Sequence, residues 1–359
     1  MNLGSIDPIL LLASLMVAAT PILLAAIGEL VVERSGVLNL GVEGMMISGS
    51  VLGFVAAIAT GNAWVGFFVA ALGGAGMALI FGILTQFFLS NQVATGLALT
   101  LFGLGLASLL GQGYLGVKAP SFPDWHIPLL GDIPVIGPIV FQHDPMVYVG
   151  LIIVAGVWWF LNKSRAGLVL RAVGENHEAA HALGYHVVRT RLLAIMFGGA
   201  CAGLGGAYLS IVRVPTYADG LTAGAGWIAL AIVVFASWKP LRLLLGAYLF
   251  GGVTVLQLNL QAAMLSLLDI LSAILFISAV LVILIGAIKL RTVTKKMMLW
   301  ALGLLIAAVL IYFYAAMGWP FNETLWLSSS PYIATIFVLV IMASGGAPGS
   351  LGKTFHASR

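Results

Sequence analysis

The sequence predicts an all-α, polytopic membrane protein with about eleven transmembrane helices, and three observations predict it. Of 359 residues, 61% are hydrophobic and 8% are charged, against roughly 25% charged in soluble domains. The mean hydropathy is +1.12. The apolar residues fall in continuous runs of about 20, the length a helix needs to cross a hydrocarbon core of about 30 Å, and lack the alternation of a membrane barrel.

The runs cover residues 8–27, 44–60, 64–88, 93–111, 146–162, 190–212, 223–238, 241–260, 269–288, 298–318 and 330–345. Their orientation follows from Lys and Arg, which gather on the cytoplasmic side of membrane proteins. Residues 163–191 carry Lys163, Arg165, Arg171, Arg189 and Arg191, so this loop is placed in the cytoplasm. Counting helices outward leaves only Lys118 and Arg213, of sixteen basic residues, on the other side, where Asp7, Asp124, Asp132, Asp144, Asp219, Asp269 and Glu323 collect. The expected topology is N-terminus out, C-terminus in. Residues 1–8 lack the positive region of a secretory signal, so the first helix is expected to stay in the mature protein. One cysteine, Cys201, leaves no internal disulfide framework or cysteine-based metal site. The net charge of +4 belongs to the cytoplasmic loops and, with no basic-aromatic patch, does not point to nucleic acid.

Residues 28–46 break the apolar pattern with Glu29, Glu33, Arg34, Asn39 and Glu43 among Gly28, Gly36, Gly41 and Gly44. An ionisable group at membrane depth costs roughly 2.5–3.5 kcal/mol on insertion scales, so such groups pair or line cavities. The topology sets this stretch at the cytoplasmic start of the second helix. Glu29, Glu33 and Arg34 therefore read as a structural charge cluster near the inner face, in which Arg34 can pair with either glutamate. Asn39 and Glu43, one helical turn apart on a glycine-broken segment, are candidates for a polar solute path.

Helices two to four are rich in small residues, Gly73, Gly74, Gly76, Gly103, Gly105 and Gly111 among them, which let helix backbones approach. The turn at 91–96 is polar but uncharged. It can cap the next helix, or it can give Asn91, Gln92 and Thr95 to the path. Residues 112–145, rich in Pro, Gly and Asp, read as an outside loop. In the cytoplasmic loop Asn176 is a good N-cap, Glu178 and Ala179 begin a short helix, and Gly184 can end it. A short amphipathic helix there is a natural docking element. After the glycine-rich sixth helix, residues 221–227 form a second glycine-interrupted approach to a membrane segment. Paired interruptions in the two halves of a transporter point to broken or re-entrant helices at a midplane path.

Two motifs raise other chemistry. His177-Glu178-Ala179-Ala180-His181 matches H-E-x-x-H, which on a helix sets two imidazoles on one face for zinc. Catalytic zinc needs a third ligand, and His186 lies beyond the helix-ending Gly184, so two surface histidines is the favoured reading. Residues 347–354 resemble a phosphate-binding loop, but such a loop opens a helix, and only five residues follow Thr354. No enzyme and no metal are expected, and any ATP is handled by another subunit.

Residues 28–46 resemble the signature of ABC importer permeases in the simple-sugar and nucleoside uptake group, relatives of the branched-chain amino-acid permeases. The likeness continues through residues 91–96, 171–184, 202–210, 226–235, 330–335 and 347–353, and so covers most of the chain. The resemblance implies a transmembrane subunit that moves nucleosides or simple sugars inward by alternating access, multi-pass in the plasma membrane of a prokaryote. It implies two ATPase subunits, a second permease in a heterodimer and an extracellular substrate-binding lipoprotein as partners. No cofactor is bound by this chain, and ATP sits at the partner subunits. The resemblance gives Arg171, Gly174, Glu175, Asn176, Glu178, Ala179 and Gly184 the role of the coupling helix that fits a groove on the ATPase.

The chain departs from the family at residues 268–327, which add two apolar segments around Lys289 to nine family-like helices. The expected organisation is one permease domain, 1–359, with an extracellular loop at 112–145, a cytoplasmic coupling loop at 163–191 and this inserted pair. Two other functions remain open on the residues alone. One is a branched-chain amino-acid permease. The other is a secondary transporter or channel using Glu29, Glu33 or Glu43 as a proton or cation site.

Overall fold

A computed structural model describes residues 8–123, 125–126, 131–262, 272, 274–280, 295–316, 329–331, 333 and 346–356. The apolar runs fold as helices because in lipid every backbone polar group needs a partner within its own segment. In order these are α1 (Pro8–Arg34), α2 (Val42–Thr60), α3 (Ala63–Gln86), α4 (Gln92–Gly111), α5 (Pro145–Lys163), α6 (Arg165–Glu175), α7 (His177–Ala182), α8 (Val187–Tyr208), α9 (Ala225–Phe235), α10 (Pro240–Ala262) and α11 (Lys295–Ala316). Between α4 and α5 a short antiparallel ribbon pairs β1 (Trp125–His126) with β2 (Gln142–His143), Trp125 opposite His143.

Among the described residues seven helices are long and apolar enough to span a membrane: Ile9–Arg34, Val42–Thr60, Ala63–Gln86, Gln92–Tyr114, Pro145–Lys163, Val187–Arg213 and Pro240–Asn259. The molecule is thus a polytopic helical membrane protein. The run expected at 223–238 differs. Only the 11 residues of α9 are helical, about 16 Å at 1.5 Å per residue, and residues 214–224 approach it as turns and irregular chain. Of the run at 298–318, residues 302–312 form an apolar helix within α11. Of the run at 269–288 only residues 272 and 274–280 are described, all helical, and of the run at 330–345 only 330, 331 and 333. The rest of both runs, and much of the proposed inserted pair at 268–327, lie outside the described residues.

The chain divides into two compact units, one of residues 7–255 and 334–359, the other of residues 1–6 and 256–333. All the geometry below belongs to the first. Its centre is α8, which crosses α1, α2 and α3 at backbone distance. Gly199 meets Gly74 and Gly203 meets Gly49, and a Cβ at any of these four would run into the opposing backbone. Gly103 likewise meets the Gly44 carbonyl, whereas Gly76 and Gly105 face open space and serve no such contact. Phe68, Leu101 and Ile152 stand exposed on the outer faces of α3, α4 and α5, as surfaces turned to lipid or to another subunit require.

Candidate functional site

The polar residues of 28–46 are buried by a hairpin. α1 stops at Gly36, whose φ of +89° is a left-handed conformation suited to glycine. The chain turns back, and α2 begins at Val42. Within the turn Asn39, fully buried, accepts a hydrogen bond from the Gly41 N–H at 3.0 Å and donates Nδ2 to Glu29 Oε2 at 3.1 Å. Leu38 N donates to Gln92 Oε1 at 2.8 Å. Two atoms of this seam, Glu29 Oε1 and Gln92 Nε2, are buried with no hydrogen-bond partner.

Glu43 sits at the second position of α2 and reaches across to the start of α9. Its Oε1 accepts from Thr222 Oγ1 at 2.5 Å and from Gly224 N at 3.0 Å, and its Oε2 accepts from Gly226 N at 2.7 Å. The first N–H groups of a helix have no partner inside it. Gly224, the N-cap of α9, has no side chain to supply one, so a carboxylate from α2 does so. Gly226 must be small here, because a Cβ would lie 2.7 Å from Glu43 Cα. At the other end of α9, Ser237 and Trp238 adopt φ of 50° and 54°, a costly conformation for residues with side chains. Arg34 holds this turn by donating Nε and Nη2 to the Trp238 carbonyl at 3.0 and 2.9 Å, and the Trp238 indole N–H donates to Glu33 Oε2. Arg34 thus turns to a carbonyl, and the Arg34–glutamate pair expected from the sequence is not formed among the described residues.

The loop at 163–191 is built as two capped helices. Ser164 accepts from Gly167 N to start α6, and Asn176 accepts from Ala179 N at 3.0 Å to start α7. The Gly184 N–H donates to the His181 carbonyl at 2.8 Å, with Gly184 at φ +88°. Behind α7 runs the segment 346–356. Ser350 N donates to the Gly174 carbonyl at 2.9 Å, His177 N donates to Ser350 Oγ at 3.1 Å, and Gly352 N donates to the Gly36 carbonyl at 3.2 Å. Arg191, fully buried, joins all three strands of this corner, donating to the Ser35 carbonyl at 3.2 Å, the Lys353 carbonyl at 3.1 Å and His177 Nδ1 at 3.3 Å. Phe355 packs edge-on against His177 and His181, with centroids 5.4 and 5.1 Å away. Burial, and then the Arg191 charge, hold the His177 imidazole below its ordinary pKa. The face left outward carries Glu175, Asn176, Glu178, Ala179, Leu183, Gly184 and Tyr185, all exposed.

The family described as the permease component of the branched-chain amino acid transport system matches residues 11–280. The chain belongs to this permease family. TsgC13 of Haloferax volcanii, provisionally named a glucose ABC transporter permease protein, is 44% identical over 261 residues, 72% of this chain and 79% of the relative. The guanosine ABC transporter permease protein NupQ of Bacillus subtilis is 34% identical over 70% of this chain and 82% of its own length. The nucleoside ABC transporter permease protein NupC of Lactococcus lactis is 30% identical over 69% and 81%. No solved structure matches. A permease of this family is a translocation subunit and no enzyme, and the family implies association with ATPase and substrate-binding partners.

In this permease the residues expected at the path fall into two groups. Asn39 and Glu43 are buried and hydrogen-bonded within the chain, as Gln92 is through Oε1. Asn91 is exposed and caps α4 through Ala94 N, and Thr95 shares a hydrogen bond of 2.9 Å with Ser90. The residues assigned to ATPase coupling gather at one corner, with Gly174 buried against Arg34 and Gly36, Arg171 half-buried, and the rest on the outward face. Sequence reasoning missed Thr222, Trp238, Arg191, Ser350 and Phe355. Gly349 and Gly352 closing the chain after its last apolar run were a signal for a turn-rich segment seated on protein.

Proposed function

We propose that the chain is the transmembrane subunit of an ATP-driven ABC importer, moving a neutral, hydroxyl-rich solute, a nucleoside or a simple sugar, inward by alternating access. The observation that carries the reading is α7, a capped two-turn helix with an exposed outer face and a fixed back. A groove on an ATPase subunit needs such a rigid element to push on, since a flexible loop would absorb the movement. Permeases named for glucose, guanosine and nucleosides among the relatives support the solute class.

In this reading the chain has about eleven transmembrane helices with N-terminus out and C-terminus in, in the plasma membrane of a prokaryote. It pairs with a second permease, two ATPase subunits and a substrate-binding lipoprotein. No cofactor sits on this chain, and ATP is hydrolysed by the partners. Asn39, Glu43, Asn91, Gln92 and Thr95 border the path. α9, capped from α2, is the broken helix beside it, and Gln92 Nε2 is a donor and Glu29 Oε1 an acceptor of the seam left without a partner. The reading is tested by reconstituting the importer in vesicles and following labelled guanosine, glucose and leucine. Uptake of guanosine or glucose that stops with an ATPase-dead partner supports it. Uptake that survives the dead ATPase and stops on collapse of a proton gradient overturns it in favour of a secondary transporter, and leucine uptake alone moves the solute class to branched-chain amino acids.

A further inference from the structure

A pocket lies beside the Trp238 turn, at the end of the bundle where α1 and α5 finish. It encloses about 490 Å³ and is lined by Arg34, Arg171, Lys239 and Arg242 together with Trp158 and Leu241. Four cations therefore converge on one cavity. Arg34 and Arg171 stand near enough to repel one another, and Glu175 is the carboxylate that attracts Arg34. The Trp238 carbonyl that Arg34 binds is a dipole and does not neutralise the charge. Arg171 adds a separate observation. Its Nε is buried and has no hydrogen-bond partner, and a buried donor on a charged group is costly to leave unmet.

Apart from Asn162, the remaining wall is apolar. Trp158 and Leu241 are both exposed, on helices long and apolar enough to span a membrane. A tryptophan and a leucine beside clustered arginines at the end of such helices match the chemistry of a membrane boundary, where aromatic rings lie at headgroup level and basic pockets between helices take phosphorylated headgroups. A freely dissolved anion would have no use for that wall, and an acidic protein surface would leave it in contact with charge.

We propose that this pocket binds the phosphate headgroup of an anionic phospholipid, with the acyl chains laid along Trp158 and Leu241. Arg171 and Arg242 contact the phosphate, and Arg34 adds charge from beneath. Because Arg171 lies on α6, which runs directly into α7, a bound headgroup ties the base of the docking loop to the end of α1. The site requires only that the chain sit in a membrane, so its failure and the failure of the importer reading are separate events.

The test is calorimetry on the full chain in neutral detergent, titrated with short-chain phosphatidylglycerol, short-chain phosphatidylcholine and inorganic phosphate. Phosphatidylglycerol is expected to bind at least about ten-fold more tightly than phosphatidylcholine, and Arg242→Gln to weaken it about five-fold, the equivalent of one basic residue at an anionic surface. Arg242 is exposed, so this variant keeps the fold, and Arg171→Gln provides the second reading from the buried side. Lys163→Gln and Arg165→Gln, which do not line the pocket, should leave the affinity unchanged. Equal binding of the two lipids, or equal loss in the two control variants, overturns the proposal. Inorganic phosphate binding as tightly as the lipid overturns it in favour of a free-anion site. Unaltered lipid affinity in Arg242→Gln with loss of ATPase co-purification overturns it in favour of an acidic protein contact.

Discussion

The two ends of α9 are held by the same hairpin, and they are held by opposite charges. At the N-terminal end the Glu43 carboxylate accepts from Thr222, Gly224 and Gly226. At the C-terminal end Arg34 donates twice to the Trp238 carbonyl, and Glu33 takes the Trp238 indole N–H. A helix favours an anion at its N-terminus and a cation at its C-terminus, so the hairpin from Glu33 to Glu43 matches the half-helix end for end. The difference lies in redundancy. One side chain answers three donors at the first end, whereas two side chains share the second. A helix of 11 residues cannot reach both faces of a core about 30 Å thick. With its C-terminal turn at the end of the bundle, its N-terminus stays at membrane depth, where the Glu43 clamp has no substitute.

The largest effect should therefore follow Glu43→Ala. The substitution leaves a hydroxyl and two backbone N–H groups buried and unpaired, each worth about 1–3 kcal/mol when stranded. Some relaxation is expected, giving a loss of about 3 kcal/mol in thermal or denaturant unfolding of the detergent-solubilised protein, together with loss of uptake. Glu43→Gln keeps one carbonyl acceptor and should lose about half as much. A Glu43→Ala protein as stable as the parent would remove the N-terminal clamp from the account.

A smaller effect is expected at the other end. Trp238→Phe removes the indole donor to Glu33 but leaves both Arg34 bonds to the backbone carbonyl intact. Side-chain hydrogen bonds inside membrane proteins average about 0.6 kcal/mol, so the loss should stay under about 1 kcal/mol in the same unfolding measurement. The comparison is sharpened by the ratio of the two variants. Should Trp238→Phe prove as damaging as Glu43→Ala, the redundancy argument fails and the Trp238 turn is the principal hold on α9.

The long helices were legible because lipid forces apolar continuity, and that signal is additive along the chain. Asn91 as a cap, Asn176 as a cap and Gly184 as a stop were legible because each acts within four residues of itself. The hairpin residues were legible only as polar anomalies. Asn39 to Glu29 is a link across ten positions, but Glu43 to Thr222 spans 179 and Trp238 to Glu33 spans 205, and no local pattern reports the far partner. Leu221 to Trp227 shows itself as a second glycine-rich interruption, yet nothing in it shows that Glu43 supplies its cap. Arg191 illustrates the same limit. It counted as one more cytoplasmic charge, while in the fold it is a fully buried link among Ser35, His177 and Lys353.

The smallest expected effect concerns pH at the corner behind α7, away from both ends of α9. Arg191 can only donate, so its contact with His177 Nδ1 requires a neutral ring at that nitrogen. Burial and the Arg191 charge lower the His177 pKa, Lys353 acts in the same direction, and Glu178 opposes them. The folded value therefore lies below that of the unfolded chain, ordinarily about 6.5. The neutral ring favours the folded corner, so its contribution is complete above about pH 6.5 and is lost as pH falls from there through the lowered folded value. Hydrogen exchange at residues 349–355, corrected for the intrinsic rate at each pH, should show protection falling over that window while α9 stays protected. His177→Gln keeps an oxygen acceptor for Arg191 without a titrating group, so its profile should be flat. If the slope persists in His177→Gln, another group governs the segment. If α9 loses protection together with residues 349–355, the two regions are one cooperative unit and the separation drawn between them does not hold.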